Sequence, residues 1–489
     1  MNPKKYDIII IGAGLAGLAC GIRLKKTGKS ILIIEKNNTV GGKLQELKWN
    51  DYRWDKGPSL LTSPSSIDEL FILHNKNPRD YFQYKKEKES CRYFFQDNSS
   101  VVFSSKKNQL LNNLTELDKE INLENVNDYI ANNHIAFNKV GNYFLTNTKL
   151  RARDLLKREL IPKLPFFLKS QIWTSLSKYN KLKLKNEKLE LIFNRFGTYN
   201  GSNPYRMSGL FSMISDLEIT DGSYFPVNGM RGIIKSLYKL ALEINIDFKF
   251  NTSPKIHKEG ANYIVKADDN YVSNKIVCAI DHVKFYNEIA ESVFRKKIKY
   301  TDISTSGLIF YWAINGTFKE FGTHNILFSD NYKKESNFID EGKLYSKPTI
   351  YIHISSKSVS NQAPKNCENW FIMINIPAGS KPTQEYREEM KKHITNEIKR
   401  LTNVSLSNLI EFESYWDDVK IEAETGSFNG ALYGEASNEL KSIINRHGNQ
   451  SKTHKDIYFC GGTVHPGGGI PLVLNSAKIV ANLIDSKCL

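Results

Sequence analysis

Asp7-Ile-Ile-Ile-Ile-Gly12-Ala-Gly14-Leu-Ala-Gly17 decides the fold of this 489-residue chain. Ile8 to Ile11 form a continuous β-branched run, the pattern of a parallel strand buried on both faces. Gly12 makes the tight turn, Gly14 admits a pyrophosphate, and Gly17 lets the next helix pack on the strand. That helix runs to about Thr27 and carries small residues, Ala16, Ala19, Cys20 and Gly21. A second strand, Ser30 to Ile34, ends at Glu35, 18 residues after Gly17. A carboxylate there can accept hydrogen bonds from ribose hydroxyls. Strand, glycines, helix, strand and acid in this order predict a bound dinucleotide.

The residues that follow predict which one. Glu35 is followed by Lys36 and by Val40-Gly41-Gly42-Lys43, and then by Trp54-Asp55-Lys56-Gly57-Pro58-Ser59. Added glycine and basic contacts suit a long, extended FAD reaching into a second domain. One fingerprint is present and no second one for NAD(P)H, which disfavours a nicotinamide-fed reductase. At the far end stands Cys460-Gly-Gly-Thr-Val-His465-Pro-Gly-Gly-Gly-Ile470-Pro-Leu472. A β-type run, Ile457 to Cys460, stops at Gly461-Gly462, and an apolar helical segment follows Pro471. Proline suits the first turn of a helix, and a helix start offers free N–H groups and partial positive charge. Such a unit can hold negative charge that appears on a ligand.

Composition narrows the class. The 68 basic side chains exceed the 52 acidic ones, a net of +16. The excess reflects a general Lys/Asn/Ile-rich composition, and no nucleic-acid-reading motif accompanies it. Six cysteines are scattered without a CxxC pair, which fits a reducing compartment and predicts no metal site. No stretch approaches about 18 uninterrupted apolar residues, so a membrane-spanning helix is not expected.

The expected fold class is α/β, with a discontinuous Rossmann-like FAD-binding domain built from residues 1–75, 224–280 and 455–489. In the middle piece, a helix from Met230 to about Ile244 and strands at Asp247–Phe250 and Ile276–Ala279 are expected. Residues 76–223 and 281–454 are expected to form an α+β substrate domain with a mixed sheet. Its predicted strands are Gly307–Ala313, Thr349–Ser355 and Trp370–Ile376, with a helix over Gln384–Leu401. Residues 149–188 hold twelve basic side chains against three acidic ones, around Leu160 to Leu168 and Ile172-Trp173. Clustered basics beside Phe, Leu and Trp are what a helical membrane-facing segment on an anionic surface needs.

Together these motifs resemble the bacterial carotenoid desaturases of the phytoene-desaturase type, within the wider FAD amine-oxidase-like superfamily. Gly12–Gly17, Glu35, Val40–Lys43 and Asp55–Ser59 resemble the family's N-terminal signature. Phe196-Gly-Thr-Tyr199-Asn-Gly201-Ser-Asn203-Pro204 and Asn429–Gly434 resemble its central elements, and Cys460–Lys478 its last motif. Two departures stand out: Asn228-Gly229 replaces a glycine pair, and Val464 separates Thr463 from His465. The overall likeness is nearest to the 1-hydroxycarotenoid 3,4-desaturases.

The resemblance implies removal of two hydrogens from adjacent carbons of a polyene, hydride to FAD and a proton to the protein or solvent. It implies cofactor contacts at Gly12, Gly14, Leu15, Ala16, Gly17, Glu35, Lys36, Gly42, Lys43, Pro58, Ser59, Gly461, Gly462, Ile470, Pro471 and Leu472. Asp154 with Arg153 are the candidates for proton transfer, and His465 for a polar group near the ring. An Asp154–Arg158 pair along one helix is the structural alternative; for His465 it is a turn histidine bonding backbone. A long apolar substrate, a carotenoid, and reoxidation by oxygen or a membrane quinone follow. So does a cytoplasmic protein bound peripherally to the inner face of the cell membrane. Phytoene desaturation, carotenoid cis–trans isomerisation and amine oxidation are the competing activities.

Overall fold

In the computed structural model, residues 3–148, 172–439 and 446–485 are described. Asp154, Arg153 and the Leu160–Leu168 stretch lie outside them.

The isoleucine run forms the centre of a five-stranded parallel sheet. Its order is Asp247–Lys249, Ile31–Ile34, Ile8–Ile11, Ile276–Cys278, Ile457–Phe459. Strands separated by more than 400 residues in sequence are thus one strand apart in space. Ile8 to Ile11 are all buried, because helices cover one face and a second apolar layer covers the other. Helix Leu15–Lys25 packs against helix Ile470–Ile484, which brings the two glycine-rich turns side by side. Helix Gly229–Glu243 flanks the same layer through Ile233, Ile234, Leu237 and Leu240.

That covering layer is a four-stranded sheet that contributes Ile256, Tyr263, Val265 and Tyr271. A separate seven-stranded mixed sheet is ordered Ile410–Trp416, Ser306–Ile314, Glu368–Ile376, Ile350–Ile354, His324–Leu327, Glu89–Phe94, Ser100–Ser104. All its pairings are antiparallel except that of His324–Leu327 with Glu89–Phe94. Strand Ser306–Ile314 is buried along its whole length, and its period of two sorts the faces. Leu308, Phe310, Trp312 and Ile314 pack with Met390, Ile394 and Ile398 of helix Gln384–Thr402. Ile309 looks the other way, with Phe371 and Met373, into the space between this sheet and the loops of the five-stranded one.

Of the basic segment, only 172–188 is described. Helix Leu176–Leu184 packs with helices Leu123–Ala136 and Glu187–Asn194, while Trp173 is 76% exposed. Among the described residues no helix is long and apolar enough to cross a membrane.

Candidate functional site

The glycine loop is held by its own chain. The backbone leaves strand Ile8–Ile11 through Gly12 at φ +106°, and a Cβ on Gly17 would run into the Gly12 carbonyl oxygen. Glu35 is buried. Its Oε2 accepts the Ala13 N–H at 2.8 Å and its Oε1 the Asn37 N–H at 3.0 Å. Glu35 therefore fixes the loop from behind. Gly41 donates to the Ala13 carbonyl at 2.9 Å, so the Val40–Lys43 turn is stitched to the first loop.

Arg231 braces that turn from the other side. Its guanidinium donates to the carbonyls of Val40 and Leu44 and, at 3.0 Å, to the Thr39 hydroxyl. Asp55 in turn caps the Arg231 helix from a distant part of the chain. Its carboxylate accepts the N–H groups of Met230 (2.8 Å) and Arg231 (3.0 Å), while Arg53 pairs with it at 3.0 Å.

A cavity of about 480 Å³ opens over these loops and runs between them and the seven-stranded sheet. Gly14, Leu15, Ala16, Gly42, Lys43, Pro58, Ser59, Gly461, Gly462, Ile470, Pro471 and Leu472 all line it. Gly12, Gly17 and Glu35 sit behind the loop and shape it. Lys36 does not line the cavity: its ammonium donates to the Ala423 carbonyl at 2.7 Å. His465 does not line it either. Its fully buried ring places Nε2 2.9 Å from the Asn147 carbonyl oxygen and stands edge-on to Phe144. Its own carbonyl accepts from Asn449 and Ser476, both at 2.8 Å.

Two cations stand in the cavity wall beside the glycine turns. Lys43 donates to the carbonyls of Ala431 (3.1 Å) and Leu432 (2.6 Å), and burial pushes its ammonium down to about 8. Arg446 donates to the carbonyls of Glu435 (2.6 Å), Tyr433 and Gly462 (both 3.4 Å). Among the described residues neither forms a salt bridge. Helix Ile470–Ile484 begins beside them, and no side chain at its N-cap, Gly469, covers its first N–H groups. A half-buried Lys43, a buried Arg446 and an uncovered helix start together can hold an anionic, flat ligand. Arg446 was not visible as a site residue in the sequence, because a lone arginine between unremarkable neighbours carries no spacing signal.

Beyond the glycines the wall turns apolar, with Phe211, Met213, Ile214, Leu217, Phe371 and Met373. Polar groups interrupt it, two linked sets among them. Ser59 Oγ lies 2.6 Å from the Tyr351 hydroxyl, which lies 2.7 Å from His324 Nδ1. Burial, with Arg195 nearby, pushes the His324 imidazole down to about 3, so the ring is neutral. Arg195 and Glu218 form the other set, a buried pair at 3.4 Å.

Comparison with known proteins agrees with this geometry. Residues 10–75 match the family model for an NAD(P)-binding Rossmann-like domain. A putrescine oxidase redesigned in its cofactor binding superposes with a TM-score of 0.65 at 12% identity, covering 99% of this chain and all of that one. Cyclohexylamine oxidase from Brevibacterium oxydans gives 0.61 at 13% identity, with 99% of each chain covered. The fold is thus the Rossmann-like fold shared with these amine oxidases.

Sequence relatives are more particular. A 1-hydroxycarotenoid 3,4-desaturase of Flavobacterium sp. (strain P99-3) is 38% identical over 98% of this chain and 99% of its own length. A 4,4'-diapolycopene oxygenase of Methylomonas sp. is 28% identical over 98% and 97%. A phytoene desaturase of Fusarium fujikuroi is 24% identical over 99% and 90%. The chain belongs to the carotenoid desaturase family.

Proposed function

We propose that this enzyme is an FAD-dependent carotenoid desaturase that introduces the 3,4 double bond of a 1-hydroxylated carotenoid. The observation that carries this reading is the 38% identity, over nearly the full length of both chains, to a protein of that activity. The cavity supports it, since one continuous space leads from the glycine loops into an apolar chamber.

The residues present fit FAD. Bare glycine backbone, the Lys43 and Arg446 cations and the open start of helix Ile470–Ile484 match its diphosphate and its ring. Bound FAD would supply a two-electron acceptor for the hydride. Gly14 to Ala16 with Lys43 would hold the diphosphate, and the N–H groups of Ile470 and Leu472 with Arg446 would face the charge on the ring. In this reading residues 1–75, 224–280 and 455–489 make the nucleotide unit, and 76–223 with 281–454 the substrate unit. Asp154 with Arg153 are proposed for the departing proton, with oxygen or a quinone as the final acceptor.

Product mass tests the reaction. Cells supplying the 1-hydroxylated carotenoid should yield a product lighter by two hydrogens, with longer-wavelength absorption. Loss of hydrogen from phytoene alone would make the enzyme a phytoene desaturase. Unchanged mass with FAD bound would indicate isomerisation, and an added oxygen would indicate an oxygenase. Peroxide released with amines would place the chain among the amine oxidases.

A membrane-surface role is proposed for residues 149–188, on their net basic charge and the exposed Trp173. A segment of this kind gains about 1 kcal/mol per basic residue near an anionic leaflet. The purified protein is expected to sediment with anionic vesicles in low salt and to be released by high salt. No sedimentation at low salt would remove the proposal.

A further inference from the structure

A hydrocarbon offers no hydrogen bonds, yet the chamber proposed to hold one has a charged pair in its wall. Arg195 is 6% exposed and Glu218 2% exposed, and both line the cavity. The pair is built with care on most of its atoms. Arg195 Nη2 donates to the Tyr93 hydroxyl at 2.8 Å and to Glu218 Oε2 at 3.4 Å, and Nη1 donates to the Tyr199 hydroxyl at 3.2 Å. The Tyr199 hydroxyl donates to Glu218 Oε2. The guanidinium also lies over the rings of Phe196, Tyr199 and Tyr93, at 4.7, 5.1 and 5.4 Å.

Two atoms of the pair are left over. Arg195 Nε and Glu218 Oε1 are buried and have no hydrogen-bond partner among the described residues. His324 Nε2, on a neighbouring side chain of the same wall, is a third. Each such atom costs about 1–3 kcal/mol when nothing pairs with it, and natural folds leave few of them. Trp416 Nε1 is a fourth on a residue lining the cavity, but the three on Arg195, Glu218 and His324 lie together and mark a place where a ligand completes the hydrogen bonding. An unpaired N–H and an unpaired carboxylate oxygen on adjacent side chains complement one kind of group. A hydroxyl accepts through a lone pair and donates through its hydrogen.

We propose that Arg195 and Glu218 read a hydroxyl on an otherwise hydrocarbon substrate, and so set the enzyme's preference for a hydroxylated carotenoid over its unhydroxylated parent. The proposal rests on the carotenoid reading above and adds to it the residues that select the substrate. Discrimination of this kind is large, because the analogue lacking the hydroxyl leaves the site's polar atoms unpaired. His324, neutral and linked through Tyr351 to Ser59, borders the same subsite.

The test compares kcat/KM of the FAD-loaded enzyme for a 1-hydroxylated acyclic carotenoid and for its unhydroxylated parent of equal length. Wild type is expected to favour the hydroxylated compound by about 10²-fold or more. The Arg195→Met/Glu218→Leu double variant removes the pair without stranding a charge. It should bring the two compounds within about threefold, through loss on the hydroxylated one. Glu218→Gln keeps an acceptor oxygen and should retain part of the preference, which also serves if the double variant fails to fold. An unchanged ratio in Glu218→Gln and in a double variant with wild-type flavin absorption overturns the proposal. So does a wild type without preference, and in both cases the desaturase reading stands. If wild type desaturates neither compound, that reading falls instead. The subsite is then judged by titrating each carotenoid into the protein and following its absorption shift. Preferential binding of the hydroxylated compound supports the subsite, and equal binding overturns it.

Discussion

Asp55→Ala should lower the stability of the folded protein by about 3–5 kcal/mol and strip it of flavin during gel filtration. The carboxylate is buried between three donors: the N–H groups of Met230 and Arg231 and the Arg53 guanidinium. Alanine leaves two helix-start N–H groups without acceptors and weakens the compensation of a largely buried cation. Breaking a buried pair by removing one partner costs about 3–5 kcal/mol. The loss spreads, because Arg231 stands on the first turn of the capped helix and holds the Val40 and Leu44 carbonyls. Gly41 has no room for a side chain there, since a Cβ would strike that guanidinium. Asp55→Asn keeps one acceptor oxygen and should lose less. Urea denaturation and the ratio of flavin to protein absorbance report the two effects; a variant that melts and holds flavin like wild type refutes this account.

The role of Asp55 also shows where sequence reading stops. The isoleucine runs announced parallel strands, because a strand buried on both faces needs an unbroken apolar run. Ser306–Ile314, Glu368–Ile376 and Gln384–Thr402 differ from their expected bounds by only a residue or two. Glycines were legible for a similar reason: a tight turn or a close backbone contact admits nothing else. The acid in Trp54-Asp55-Lys56 looked like part of a ligand-facing turn, yet its partners lie about 175 residues further on. Arg195 and Glu218 are 23 residues apart, and nothing local in either stretch marks them as a pair. Lys36 reads as a basic contact beside the acid, but the fold carries its ammonium to the Ala423 carbonyl. Charged side chains are long, and which of several partners each one reaches is decided by the packing of the sheets.

Lys43→Met should weaken FAD binding at neutral pH by roughly 10–100-fold, the loss of one charge-assisted hydrogen bond of about 1.5–3 kcal/mol. An ammonium has three N–H donors; here two go to the Ala431 and Leu432 carbonyls, and one remains for the cavity. Burial lowers the group from 10.5 to about 8, with the charge of Asp281 acting against that fall. The sign of the pH effect follows. Without FAD, between about pH 8 and 10.5, the unfolded chain keeps this proton while the folded chain releases it. In that window this group makes the apoprotein more stable as pH rises. Binding runs the other way. An anionic ligand favours the protonated ammonium, so above pH 8 the protein must take up a proton to bind, and affinity falls as pH rises. Reconstitution of apoprotein with FAD between pH 7 and 10, followed by flavin fluorescence quenching, should show wild-type affinity declining from about pH 8. The Lys43→Met protein should be weaker at pH 7 and should lack that decline. Parallel pH profiles for the two proteins would mean that Lys43 serves only to join the Ala431–Leu432 turn to the glycine loop.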